Sequence, residues 1–423
     1  SSTCCSKSER LACPAHFGSV VSARSGLRPH SRFHPHQAMG CCQSNQAQAR
    51  APETQRRRLS VGHVEGTAAE ADTDGSDENR GLITALNEKS IIDLIDATAD
   101  GSTNGGRRMS IGSHTDQGKT SFANKSFEAV GDDFDPVSCG LGHTCRKGLK
   151  PESPNQDSWF ALKMDTHSMY GVFDGHGQKG HDVSNFVKDN LPKLLVKDTR
   201  FRTEKMPEML KDVFKKTQSI VSTADRMKKL SAQMSGTTAT VCIHDHIKGE
   251  LTLAHVADST AVLGRWKAGT KDLEGVALTR DHKPSLKDER ARIEKAGGRV
   301  VFDGYANHRI YAKNARYPGL NMSRCIGDLM GHAECGITCE PEVSVLQLKP
   351  EDQILLLCSD GVWEFTTPDE AVKLVGEFPV AKAMTAAERL AKEAWDRWIR
   401  EEGGAVVDDI TVVLVYLNVP KTD

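Results

Sequence analysis

The stretch SMYGVFDGHG, residues 168–177, decides the fold. Its apolar half reads as a β-strand, and Asp174-Gly175-His176-Gly177 closes that strand in a tight turn carrying one carboxylate and one imidazole. The same figure recurs in QILLLCSDG, 353–361, where Asp360-Gly361 follows an apolar strand. In VVDDITVVLVYL, 406–417, the order is inverted: Asp408 and Asp409 precede the strand. Strands lying antiparallel or side by side in packed sheets set the end of one beside the start of another. Three carboxylates then converge at one edge. A single Asp-Gly after a strand is usually only a turn, so the longer strings around each acid carry the weight.

Outward from that stretch, SWFALK (158–163) is the partner strand of SMYGVF (168–173) across a short polar connection. Helical stretches follow at 180–191, stopped by Pro192, and at 205–231. TTATVCIHD, ELTLAHVAD and TAVLGRW, within 237–266, read as consecutive antiparallel strands. A helix is expected over 285–296, with Ser285 as N-cap and Gly297-Gly298 as the stop. Further strands are expected at 342–348, 353–358 and 410–417. Thr367-Pro368-Asp369-Glu370 is a capping box opening a helix at 368–376, and another helix spans 380–402. Hairpin-linked strands punctuated by helices give an α+β class: a central pair of packed antiparallel sheets flanked by helices.

The chain has 423 residues, 38% hydrophobic and 26% charged, with a formal net charge of −2. That balance argues against a nucleic-acid binder, which needs a basic face, and no run approaches the roughly 20 apolar residues of a membrane-spanning helix. Twelve cysteines at irregular spacing read as reduced thiols of a cytosolic protein, and Cys335 and Cys339 lack a second ligand pair for zinc. Residues 1–137, rich in Ser, Gly, Ala, Arg and Asp, are expected to be largely disordered apart from a short helix at 82–98; the folded domain is expected over 138–419. RRRLS (56–60) and RRMS (107–110) are basophilic kinase patterns within that N-terminal region, marking Ser60 and Ser110.

Converging carboxylates repel unless a cation holds them, and oxygen-only ligation suits Mg²⁺ or Mn²⁺. A glycine after the acid lets a backbone carbonyl approach the ion. An aspartate shared by two ions would lower the pKa of a bridging water and neutralise a phosphoryl group.

VFDGHG, SGTTATVCI, HVADSTAVLG, the stretch from Asp281 to Val300, SRCIGD, CSDGVWE and DDITVV occur in the order found in PPM-type (protein phosphatase 2C-like) metal-dependent Ser/Thr phosphatases. The resemblance spans about 138–418 and points to a plant-like or protist-like member. It implies hydrolysis of phosphoserine and phosphothreonine by a hydroxide held between two Mg²⁺ or Mn²⁺ ions, with no phosphoenzyme intermediate. It implies that Asp174 bridges both ions, that the Gly175 carbonyl binds one, and that Asp360 and Asp408 bind the other. Asp157, in PNQDSWF, matches an acid that holds metal-bound waters, and Asp258, in VADS, a position tied to a weaker third ion. Asp408 opens the acid-x-x-Ser/Thr tetrad, so Asp409 is the second choice. Gln156 stands where animal members carry Glu. The phosphate-gripping Arg of the family has candidates in Arg146 and Lys150, with Lys147 between them. His176 is the candidate general acid for the leaving oxygen; His181, His282, His308 and His332 are read as structural. The region 302–322 corresponds to a flap beside the site. The implied partners are phosphorylated Ser/Thr proteins, acted on by a monomer.

A competing class, a phosphoprotein-binding scaffold that keeps the fold without chemistry, would not need the full acid constellation. Cys4 and Arg10 match the cysteine-phosphatase spacing without its glycine-rich cradle, and no GxxxxGK[ST] loop occurs. Met39-Gly40-Cys41-Cys42-Gln43-Ser44 fits the N-myristoylation pattern. If translation starts at Met39, Gly40 would be acylated and Cys41 or Cys42 palmitoylated, tethering the enzyme to the cytoplasmic face of a membrane. The rival reading makes residues 1–38 an organellar transit peptide.

Overall fold

The computed structural model describes residues 109–114, 118–130, 139–150 and 153–417. The acylation pattern at 39–44, Ser60 and the helix expected at 82–98 lie outside the described residues. Two antiparallel sheets face each other. The first is built from β1 (Met109–Ser113), β2 (Phe127–Val130), β4 (Ser158–Lys163), β5 (His167–Phe173), β6 (Ala239–Asp245), β7 (Glu250–Val256) and β10 (Glu342–Gln347), in the order β10-β7-β6-β5-β4-β1-β2. The second holds β3 (Leu141–Arg146), β8 (Thr260–Trp266), β9 (Leu273–Ala277), β11 (Asp352–Cys358) and β12 (Ile410–Tyr416), in the order β9-β8-β11-β12-β3.

Side-chain alternation builds the layers. Tyr170 and Val172 of β5, Leu355 and Leu357 of β11, and Val413 and Val415 of β12 form the core between the sheets. Their neighbours point outward: Met169 and Phe173 pack on α1 (Gly180–Lys197) and α2 (Met206–Arg226), while Leu356 and Leu414 pack under α6 (Pro368–Gly376) and α7 (Ala383–Glu401). Because helices cover both outer faces, the inner strands read as unbroken apolar runs such as ILLLC. The remaining helices are short: α3 (Lys287–Lys295), α4 (Leu329–Glu334) and α5 (Asp360–Trp363).

The predicted fold class holds, and several local expectations need correction. Pro192 does not stop α1; the helix runs through it to Lys197, because Val187, Leu191 and Leu195 are buried on its core face and that packing outweighs a proline cost of about 3 kcal/mol. Helix α3 starts at Lys287 with Leu286 at its N-cap and no side-chain cap, so Ser285 does not cap it. The capping box at Thr367 forms as read, with Thr367 Oγ1 accepting from the Glu370 N–H. The folded part also begins before residue 138. Strand β1 pairs with β4, Gly112 opposite Phe160, and with β2, Gly112 opposite Glu128. Ser110 therefore sits in a strand, opposite Val130 and Leu162, and not in a loose tail. At five residues, MSIGS is too short for its pattern to mark a strand, and its ladders with β2 and β4 place it.

Two small sheets complete the frame. Arg299–Phe302, His308–Tyr311 and Pro318–Leu320 make an antiparallel sheet within the region read as a flap. Gly175–His176, Gly236–Thr237 and Ile326–Gly327 pair in the order that brings three distant segments to the end of β5.

Candidate active site

Strand pairing supplies the convergence. Because β11 runs antiparallel to β12, with Cys358 opposite Val412, Asp360 leaves one strand where Asp408 enters the other. Because β4 runs antiparallel to β5, with Ser158 opposite Phe173, Asp157 lies beside Asp174. Asp258 follows Ala257, which has a φ of 72° just past β7.

Burial and mutual repulsion dominate the electrostatics. The carboxyls of Asp174 and Asp360 are both pushed well above the usual carboxylate range, by burial and then by neighbouring acids. Burial, then the charge of Asp409, raises Asp157 to about 7, against the pull of two hydroxyls. Those hydroxyls, Ser359 Oγ and Thr411 Oγ1, each donate to Asp157 Oδ2 at 2.7 Å. Asp157 Oδ1, Asp258 Oδ1 and Asp360 Oδ1 are buried with no hydrogen-bond partner. Two ammonium groups enter the cluster: Lys150 donates to Asp408 Oδ1, and Lys283 to Asp258 Oδ2.

This donor set fits hard divalent cations. The oxygens are carboxylate, several are buried and unsatisfied, and cations already stand against two of them. Gly175 fits too: a Cβ there would lie 2.4 Å from Gly180 O and 2.5 Å from Gln156 O, so only glycine allows the backbone this close. Asp408 and Asp409 have different surroundings. Asp409 accepts the Gly148 N–H at 2.6 Å and the Gln156 N–H at 2.8 Å, so its carboxylate is committed to holding the 148–156 loop. Asp408 faces Lys150.

His176 is buried, and its Nε2 lies 2.5 Å from Asp328 Oδ2 while Nδ1 has no partner. Burial alone would lower this imidazole, but the Asp328 carboxylate and its hydrogen bond outweigh burial and raise it. Gly236 makes the pair possible, since a Cβ there would meet Asp328 Oδ2 at 2.2 Å and His176 Nε2 at 2.9 Å.

Arg146 does not join the acids. Its guanidinium contacts Thr144 Oγ1 at 3.1 Å, the Phe122 carbonyl at 3.4 Å and Glu388 of α7 at 3.4 Å. Lys147 is buried, with Nζ donating to the Lys150 carbonyl at 2.5 Å. Of the three basic candidates, Lys150 is the one whose charge stands among the carboxylates. The spacing could not show this, because alternation along β3 sends Arg146 toward α7. Sequence reasoning also missed Ser359, Thr411, Lys283 and Asp328. Each lies inside a motif it quoted: Ser359 and Thr411 one to three residues from a named acid, Lys283 within the Asp281–Val300 stretch, and Asp328 at the end of SRCIGD.

Two other groups of metal-ligating types gather nearby, and their chemistry resists an ion. In His176, Cys325 and Asp328, burial pushes the Cys325 thiol well above its usual range, leaving a protonated sulfur. In His255, His282 and Glu342, the Ala257 N–H donates to His282 Nδ1, which puts that ring's proton on Nε2, the atom that would have to bind.

The protein phosphatase 2C family model matches residues 142–402. This chain belongs to the protein phosphatase 2C family. It is 34% identical over 261 residues to probable protein phosphatase 2C 72 of Arabidopsis thaliana, covering 59% of this chain and 76% of the relative. Protein phosphatase 2C 1 of Paramecium tetraurelia is 32% identical over 271 residues, covering 59% and 83%. The crystal structure of serine-threonine phosphatase 2C from Toxoplasma gondii superposes with a TM-score of 0.57 at 20% identity, over 65% of this chain and 94% of that one, and supports the fold. The chain is accordingly a protein-serine/threonine phosphatase of a metal-dependent family, a phosphoric monoester hydrolase acting on phosphoproteins.

Proposed function

We propose that the chain hydrolyses phosphoserine and phosphothreonine esters with two Mg²⁺ or Mn²⁺ ions, and a weaker third, held by the strand-end aspartates. Asp174 would serve both ions and the Gly175 carbonyl one of them, Asp360 and Asp408 would hold the other, Asp157 would orient coordinated waters, and Asp258 would serve the third ion. When bound, the ions supply an activated water and neutralise phosphoryl charge. The chain's own residues do the rest. Lys150, paired with Asp408, would meet a phosphoryl oxygen there as a point charge. Asp328 accepts from His176 Nε2, leaving Nδ1 to carry the proton given to the serine or threonine oxygen as its bond to phosphorus breaks.

The observation that carries this reading is the cluster of buried, unpartnered carboxylate oxygens on Asp157, Asp258 and Asp360 at one sheet edge. Hydrolysis of a phosphothreonine peptide with Mn²⁺, and again after EDTA, tests it. Turnover that needs the added ion is expected. Turnover unchanged by EDTA, or none with Mn²⁺, would overturn it.

A further inference from the structure

Residues 118–130 join the two sheets beside the acidic edge, and one lysine in them has no role in the reading above. Phe122 N–H donates to the Lys147 carbonyl at 2.8 Å, Lys147 N–H to the Ala123 carbonyl at 2.9 Å, and Lys125 N–H to the Cys145 carbonyl at 2.8 Å. This segment thus runs along β3 of the second sheet, while β1 and β2, on either side of it, belong to the first. The backbone of Lys125 is fixed at the seam.

Its side chain turns inward and is only 3% exposed. Nζ donates to the Asp157 carbonyl at 2.6 Å, Asn185 Oδ1 at 3.3 Å, and the Asn155 carbonyl and Ser158 Oγ at 3.4 Å. All four acceptors are uncharged. Taking an ammonium out of water costs several kcal/mol, and an apolar side chain would fill the same space more cheaply. Burial pulls Lys125 below the usual ammonium range, and Cys145, Asp157 and Asp409 only partly offset it. Meanwhile Asp157 Oδ2 is pinned by Ser359 and Thr411, and Oδ1 is left over. Held at its carbonyl from one side and at one carboxylate oxygen from the other, Asp157 has a single orientation for the remaining oxygen.

We propose that Lys125 is a positioning residue for catalysis: the segment ahead of the first long strand inserts its ammonium beneath the 155–158 loop and sets the direction in which Asp157 presents its free carboxylate oxygen. The proposal rests on the assignment of Asp157 to the ion-water shell. Residues that orient a metal site from behind typically change affinity or activity by about 10–100-fold.

The test uses the full chain in three forms: wild type, Lys125→Met and Lys188→Met. Lys188 Nζ donates to the Ser113 carbonyl at 2.6 Å, so its loss loosens β1, the strand ahead of the segment, without removing a contact to residues 155–158. Three quantities are read: kcat and KM on a phosphothreonine peptide at saturating Mn²⁺, the Mn²⁺ dissociation constant from the paramagnetic resonance signal of the free ion, and the melting temperature in EDTA. For Lys125→Met, kcat is expected to fall and the Mn²⁺ dissociation constant to rise, each about tenfold or more, with KM unchanged and Lys188→Met close to wild type. A Lys125→Met enzyme matching wild type in kcat and Mn²⁺ affinity would overturn the proposal. So would parallel losses in both variants that track melting temperature, which would make the segment a structural strap only. If Lys125→Met does not fold, Lys125→Gln takes its place, and a wild-type Mn²⁺ constant there is equally fatal. A wild type without Mn²⁺-dependent turnover would instead remove the functional reading, and this inference with it.

Discussion

Stripping cations from the acidic edge should make the fold weaker at pH 8 than at pH 5.5. The buried aspartates set the sign. A carboxyl whose pKa is higher folded than unfolded stabilises the fold while protonated; that contribution is full below its unfolded value and lost as pH rises through the folded one. Asp157 moves from 3.8 to about 7, so its share disappears between roughly pH 4 and 7. At about 1.4 kcal/mol per pH unit, the lost share is on the order of 4 kcal/mol. Asp174 and Asp360 shift in the same direction. Buried neutral histidines oppose them: His143 and His244, each lowered by burial to about 4, lose their contribution as pH falls. That opposing effect is common to metal-free and metal-loaded protein, so the difference between the two isolates the acidic edge. Bound Mn²⁺ replaces the protons and also stabilises by mass action, about 2.7 kcal/mol at a hundredfold excess over its dissociation constant. Of the Asp157 share, on the order of 2 kcal/mol is lost between pH 5.5 and 8, so with a domain of this size melting roughly 2–4 °C higher per kcal/mol, the gap between Mn²⁺ and EDTA melting temperatures should widen by at least roughly 4–8 °C over that window. Scanning calorimetry across that range reads it. A gap that is constant, or narrows toward pH 8, would refute the placement of repelling carboxylates at one cation site.

Asp174→Asn should remove nearly all turnover and weaken Mn²⁺ binding; half of wild-type turnover at saturating Mn²⁺ would reject the bridging role. His176→Ala should cost a phosphopeptide roughly 10²–10⁴-fold and an aryl phosphate much less, since a phenolate leaves without a proton; equal losses would place the imidazole elsewhere. Gly236→Ala should mimic His176→Ala on both substrates while the Mn²⁺ constant stays near wild type, because the added methyl invades the His176–Asp328 pair and not the acids; full activity would discount that contact. In cells, the native transcript and its Gly40→Ala form should partition differently between membrane and soluble fractions; a fully soluble wild type would dispose of the anchor.

The layered fold was legible because both sheets declare themselves: β5, β11 and β12 are strongly apolar runs punctuated by acids. The acids themselves were legible for the same reason, since each stands where a strand begins or ends. What stayed hidden depends on side-chain direction. Arg146 and Lys150 are four residues apart in one polar stretch, yet one turns to α7 and the other to Asp408. Asp409 looks interchangeable with Asp408 until its two backbone donors are seen. Strands β1 and β2 escaped notice because they are only five and four residues long and lie in a polar stretch, too short for periodicity to mark them. Lys125 was invisible for a related reason: a lone lysine in a polar segment reads as solvated until the fold closes over it.

Strand β12 has a consequence for biosynthesis. It is the last strand among the described residues, yet it lies inside the second sheet, between β11 and β3. Within that sheet β3, among the first strands made, has β12 as its ladder partner, across some 260 residues of intervening sequence. A growing polypeptide therefore carries β3 with an open edge until β12 leaves the ribosome, the situation in which unpaired strands invite aggregation. Asp408 arrives with that same strand. The nascent phosphatase would be inert until β12 is out, and closing so distant a pairing should make that folding step slow.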